Sequence, residues 1–273
     1  MFNTKLSKLG FILAAGALPA VNAAAGIFVF ADDACPVDLG ALEMHAIMEN
    51  GIMTDRHTAV ETGVALEFAY GAFENLELAA SLDFGNDYMS GHYARKSGET
   101  RRNDFNFTGV SVGAKYQLLS PETEVLGVAL VAGGSYVWAG SDQSAAREFA
   151  GSVGVNFEKD FLDGDLIVVA TPGVEVVRAK DYEENYWGTE ETYSCAFAAS
   201  YALVEGFRLG VESFYEYTAD SRTYLDKAFY MGPSMAVEGE NWLFAMAAAV
   251  RTFSTDDTGS HDVVVAGQFE YVF

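Results

Sequence analysis

Residues 263–273 read VVVAGQFEYVF. Val263, Val265, Phe269, Tyr271 and Phe273 share one parity, while Gln268, Glu270 and Val272 share the other. A period of two is the mark of a β-strand with two unlike faces, and aromatic residues at every second place make one of those faces strongly apolar.

Working back from this end to Leu39, the chain divides into twelve segments with the same alternation, at about 39–50, 58–70, 75–86, 104–118, 124–139, 146–159, 165–179, 190–204, 207–219, 226–238, 241–253 and 261–273. Each is longer than the roughly 5–6 residues of an ordinary globular strand and matches the length a tilted strand needs to cross a bilayer. The connections alternate as well. Short ones such as Gly71-Ala72-Phe73-Glu74 and Val204-Glu205-Gly206 take turns with longer polar ones, of which residues 86–104 are the longest. An all-β, transmembrane, up-and-down antiparallel β-barrel of about 12 strands produces this rhythm, with tight turns on the periplasmic side and longer loops outside. Closure is required because every backbone polar group in lipid needs a partner.

The chain has 273 residues, and its start has the parts of a secretory signal: Lys5 and Lys8, an apolar run from Leu9 to Val21, then Val21-Asn22-Ala23. The expected organisation is therefore a signal peptide over 1–23, an N-terminal periplasmic segment over 24–38, and the barrel over 39–273, exported to the outer membrane. Without the signal lysines, 14 basic residues face 39 acidic ones, a formal charge near −25. This balance argues against nucleic acid as a partner, since phosphate binding draws on Lys and Arg.

Parity assigns Val64, Leu66, Phe68 and Tyr70, Leu78, Leu82 and Phe84, Leu209, Val211 and Tyr215, and Trp242, Phe244 and Met246 to the lipid face. Aromatics near both strand ends read as interfacial girdles. The opposite parity carries Glu61, Glu67, Glu77, Glu175, Glu212 and Glu216, with Lys115, Arg208 and Arg251 among them. These charges are expected to line the lumen, because an ionised side chain facing lipid costs several kcal/mol. Two readings stay open: an acidic channel for small solutes, or charges that pair across a packed interior. One strand breaks its parity, since Phe105 and Phe107 are out of phase with Val110 and Val112; a bulge near Gly109, or two inward phenylalanines, accounts for it.

Arg95, Lys96, Arg101 and Arg102 concentrate positive charge in the longest loop. They are candidates for a gate that folds onto the acidic wall, or for contacts with lipopolysaccharide phosphates at the rim. Cys35 and Cys195 are expected as unpaired thiols, with a single disulfide as the alternative; Cys195 has outward parity. Of the four histidines, His45 has lumen parity near the periplasmic end, and His57, His92 and His261 lie in or beside loops. No serine stands beside them at outward parity, so the Ser–His pair of an outer-membrane phospholipase is missing, and His261-Asp262 with Asp256-Asp257 is only a faint echo of a surface protease. No spacing resembles a metal site, and no cofactor is expected.

Ala31-Asp32-Asp33-Ala34, Gly40-Ala41-Leu42-Glu43, Glu67-Phe68-Ala69-Tyr70-Gly71 and Asn75-Leu76-Glu77-Leu78 together resemble the outer-membrane transporter family typified by proteins of the meta-pathway of phenol degradation. The resemblance implies passage of small, aromatic compounds. Phe269, Tyr271 and Phe273 also resemble the C-terminal signal by which the barrel-assembly machinery recognises its clients. The sequence thus reads as an outer-membrane channel or transporter for passive passage of a small-molecule solute. The alternatives are a structural or adhesive barrel without transport, and an outer-membrane phospholipase or protease.

Overall fold

Amphipathic strands of this length bury nothing until they pair edge to edge, and pairing ends without a free edge only when the last strand meets the first. The computed structural model describes residues 27–53, 59–89, 106–138, 147–181, 186–220, 225–255 and 262–273. It shows twelve strands: β1 (Leu42–Met53), β2 (Ala59–Phe73), β3 (Leu76–Met89), β4 (Asn106–Leu119), β5 (Gly127–Trp138), β6 (Arg147–Phe161), β7 (Leu166–Asp181), β8 (Tyr186–Val204), β9 (Phe207–Asp220), β10 (Leu225–Glu238), β11 (Trp242–Ser254) and β12 (Val263–Val272). Neighbours in sequence pair antiparallel, and β12 closes the barrel on β1. The expected strands are borne out, with small shifts at their ends; β8 starts at Tyr186 rather than at 190.

The wall is apolar outside, as parity requires. Val112, Val153, Phe197 and Val211 are more than half exposed on that face, a pattern that only a lipid solvent makes favourable. Near the outer rim, ring contacts run from Phe84 to Phe107 to Trp138 to Tyr136 to Phe149 to Trp187, with centroids 4.8–6.2 Å apart. At the opposite end Tyr271 meets Phe273 at 5.0 Å. These are the two aromatic girdles.

The parity break in β4 is a bulge. The register slips so that Asp83 faces Gly109 while Phe84 faces Phe107, which turns Phe107 outward into the girdle. Both cysteines are free thiols, and Cys195 lies between the outward Tyr193 and Phe197 as expected. The signal peptide, the basic residues Arg95, Lys96, Arg101 and Arg102, and His57, His92 and His261 lie outside the described residues.

Candidate functional site

The interior of the barrel is not empty. Residues 27–37, part of the segment 24–38 expected in the periplasm, instead run inside the barrel as an N-terminal strap, with Phe28, Val29, Phe30, Ala31, Asp32, Ala34 and Val37 all buried. The strap touches the wall's backbone ladder at its base, where Leu39 bridges Gly71 in parallel and Gly40 N–H donates to the Gly71 carbonyl at 2.8 Å. Gly71 has to be glycine there: a Cβ would sit 2.6 Å from the Val37 carbonyl oxygen and collide with that of Asp38. Gly40, at φ +81°, turns the strap into β1.

A chain that leaves the sheet still has amides to satisfy, and the inward carboxylates satisfy them. Glu212 accepts from Val29 N–H (3.2 and 3.0 Å to its two oxygens) and from Phe30 N–H (2.6 Å). Glu158 accepts from Ala34 N–H and Glu77 from Val37 N–H, both at 2.9 Å. In the other direction, Gln268 donates to the Phe28 carbonyl at 3.1 Å, Asn156 to that of Asp33 at 2.8 Å and Gln117 to that of Ala34 at 3.1 Å. Hydrogen bonds from amides to a charged acceptor each contribute about 1.5–3 kcal/mol.

The centre of the strap is an ion cluster. Lys115, fully buried, reaches Asp32 at 2.8 Å and Asp33 at 3.3 Å, and donates to the Cys35 carbonyl at 3.3 Å. Asn156 holds the second Asp32 oxygen at 2.6 Å. Burial pushes Asp32 upward from the ordinary carboxylate range, against the pull of Lys115. Cys35 stands beside this cluster with its sulfur 3.9 Å from both Glu158 and Gln117. Burial, then the charges of Asp33 and Glu158, push its thiol up, so it is a neutral, partly buried SH.

Ahead of the ion cluster the strap is apolar and so is its bed. Phe30 packs on Phe214 at 5.0 Å, and Phe214 stacks on Tyr230 at 4.5 Å. The inward alanines Ala236, Ala245, Ala247, Ala249 and Ala266 leave the width that Phe28 and Phe30 fill.

Sequence parity placed the charged residues on the correct face, but several have partners it did not foresee. Glu67, Glu77, Lys115, Glu175 and Glu212 are buried inside the barrel. Lys115, expected to pair with wall glutamates, pairs with the strap aspartates. Arg208, expected in the same role, donates to Ser200 Oγ at 3.3 Å and to the carbonyls of Gly164 and Asp165 at 3.0 and 3.1 Å, tying β9 to the β6–β7 turn. Arg251 pairs with Asp262 at 2.7 Å. Glu61, Glu175 and Glu216 lie toward the outer half; Glu175 stands opposite Ser152 and Thr192 on the flanking strands. Phe269 and Tyr271 face lipid, and Phe273 N–H donates to the Leu42 carbonyl at 3.0 Å, closing the seam. Sequence spacing showed no metal-binding set, yet the fold brings Glu43, His45 and Glu270 together with ligand atoms within 4.8 Å of one another. Those residues sit near opposite ends of the chain, so only the β12–β1 pairing unites them.

One family's sequence profile matches residues 21–258, described as a family of unknown function, DUF6662. The chain belongs to DUF6662. No curated protein matches its sequence. Among solved structures, this DUF6662 chain is similar to the COG4313 outer membrane channel from Pseudomonas putida F1, with a TM-score of 0.67 at 10% identity over 88% of this chain and 98% of that one. It is also similar to the translocator domain of the autotransporter NalP from Neisseria meningitidis (TM-score 0.51, 15% identity, 87% and 90% covered). LpxR from Salmonella typhimurium is a third such barrel (TM-score 0.50, 13% identity, 85% and 100% covered). The shared feature is the fold, which bears out the expected kinship with outer-membrane barrels.

Proposed function

We propose that this DUF6662 protein is an outer-membrane channel for small polar solutes, with cations favoured, whose periplasmic half is closed by residues 27–37 and which conducts when that strap withdraws. The observation that carries the reading is how the strap is held. Its upper part is bound by side chains of the wall to strap amides and carbonyls, so it leaves without breaking a single strand pairing of the barrel. The acidic residues of the outer half, Glu49, Glu61, Glu148, Glu175 and Glu216, then line the entrance and concentrate cations. The likeness to an outer membrane channel supports the same reading. A non-enzymatic role fits too: among the described residues the one histidine, His45, is buried inside the barrel, away from the outer wall.

The test is single-channel recording in planar bilayers of the mature chain and of a variant lacking residues 27–37, each first shown to be a folded barrel by heat-modifiable gel migration. The expected outcome is a small or intermittent conductance in the full chain and a large, steady, cation-preferring one in the variant. A variant that stays closed refutes the channel and leaves a structural barrel as the reading.

A further inference from the structure

At the closing seam, register places three ionisable groups side by side across three strands. His45 on β1 is the direct partner of Glu270 on β12 and of Glu67 on β2. Glu43 follows two residues away on the same inward face. His45 Nε2 lies 3.3 Å from Glu43 Oε2, and His45 Nδ1 lies 3.3 Å from Glu67 Oε1. His45, Glu67 and Glu270 are 2, 5 and 8% exposed, and Glu67 Oε1 has no hydrogen-bond donor aligned on it. Three carboxylates surround the one imidazole. Lys115, the buried cation of the adjoining wall, is engaged by Asp32 and Asp33.

We infer that Glu43, His45 and Glu270 form a binding site for a divalent transition-metal cation of the zinc type, with Glu67 as a positioning residue. The roles follow from the two faces of the imidazole. Nε2 lies beside Glu43 and, with Glu270, completes three donors; Nδ1 lies 3.3 Å from Glu67 Oε1, which accepts a hydrogen bond from Nδ1–H once the ring turns onto it and so fixes the tautomer that leaves Nε2 free to ligate. The metal–ligand bonds of such an ion are about 2.0–2.2 Å, which sets its donors roughly 3.3–3.5 Å apart around a tetrahedron. Donor atoms already within 4.8 Å reach that spacing by small side-chain rotations. An imidazole among carboxylates favours zinc, copper, iron or nickel over calcium, magnesium and manganese, which prefer oxygen donors. Three protein donors leave a fourth position open to the interior. Bound there, the ion ties the last strand to the first at the periplasmic end.

The experiment uses the full mature chain, folded in detergent and stripped with a chelator. Zn2+ is titrated calorimetrically, and Co2+ is followed by its visible absorption. The expected result is one ion per chain, with Co2+ bands of four- or five-coordinate intensity. His45→Gln and Glu270→Gln each lower the affinity at least 100-fold, Glu67→Gln lowers it about 10- to 100-fold, and Glu205→Gln, in an exposed turn, changes nothing. A wild-type chain that takes up neither ion, that gives only the pale spectrum of hydrated Co2+, or whose binding survives both His45→Gln and Glu270→Gln overturns the site. The spectrum of the wild-type chain decides the matter even if the variants fail to assemble. Absence of binding leaves His45 as a buried ring held between Glu43 and Glu67.

Discussion

Replacing Lys115 by methionine removes the one cation that two strap carboxylates share, while keeping most of the side-chain volume. Lys115 is fully buried and Asp32 is 6% exposed, so the change leaves Asp32 desolvated, with the Asn156 amide still donating to it. Breaking a buried pair from one side costs about 3–5 kcal/mol. Most of that cost is relieved when the strap leaves its bed, because Asp32 then returns to water while the barrel wall stays intact. At about 1.4 kcal/mol per factor of ten, the undocked population rises roughly 10²- to 10³-fold. Cys35 reports it: docked, its thiol is neutral and partly buried against Glu158 and Gln117; undocked, it is open to solvent. In a Cys195→Ser background, the rate of maleimide labelling of Cys35 is expected to rise by that factor in Lys115→Met. Adding Asp32→Asn to the same chain should return most of the protection, since the carboxylate left without its cation is then Asp33, which is partly exposed and accepts from Cys35 N–H. An unchanged labelling rate in Lys115→Met, or no recovery in the double variant, refutes the ion cluster as what holds the strap.

Glu212 and Glu216 lie two strand periods apart on the same face of β9, yet they are expected to respond in opposite ways. Both oxygens of Glu212 accept from strap amides, so Glu212→Gln turns one acceptor into a donor facing an N–H; labelling of Cys35 and bilayer conductance should both rise. Glu216→Gln, assayed in the variant lacking residues 27–37, should lower the cation preference in reversal-potential measurements and leave the conductance of the same order. Gly71→Ala drives a methyl into the Asp38 and Val37 carbonyls and should free the strap at its base, seen as faster Cys35 labelling with an unchanged heat-modification temperature. Removing Phe273, whose N–H closes onto Leu42, should lower the fraction of chain assembled in the outer membrane, measured by membrane fractionation; full assembly without it rejects the terminal aromatic as an insertion signal.

The wall of this barrel was legible because a membrane imposes one rule on every strand. A charge on the outward face is so costly that Glu61, Glu67, Glu77, Glu175, Glu212 and Glu216 could occupy one parity alone, and the phase slip at Phe107 could be noticed and read as a bulge. The strap was not legible for the complementary reason. Residues 27–38, IFVFADDACPVD, have neither helical nor strand period, since their partners are side chains scattered over β3, β4, β6, β9 and β12 rather than a neighbouring strand. Spacing along the chain carries no trace of such contacts, nor of a cluster that joins Glu43 to Glu270.

Two signals for the strap were nevertheless present in the sequence. The inward parity of β10, β11 and β12 holds Ala236, Ala245, Ala247, Ala249 and Ala266, side chains too small to meet across a twelve-strand barrel, whose backbone radius is about 12 Å for the usual strand spacing and tilt. A dry interior bordered by methyl groups must be filled by something else, and Phe28-Val29-Phe30, apolar residues with no strand of their own, are the segment available. The acidity points the same way. Among the inward carboxylates three, Glu77, Glu158 and Glu212, accept from backbone amides of the strap. Their charge is thus coupled to strap position: docked, it is neutralised locally by N–H dipoles and Lys115; undocked, it is returned to the pore. In the proposed channel, opening therefore raises the cation preference in the same step that widens it, and the two quantities should change together across variants that loosen the strap and leave these three carboxylates in place.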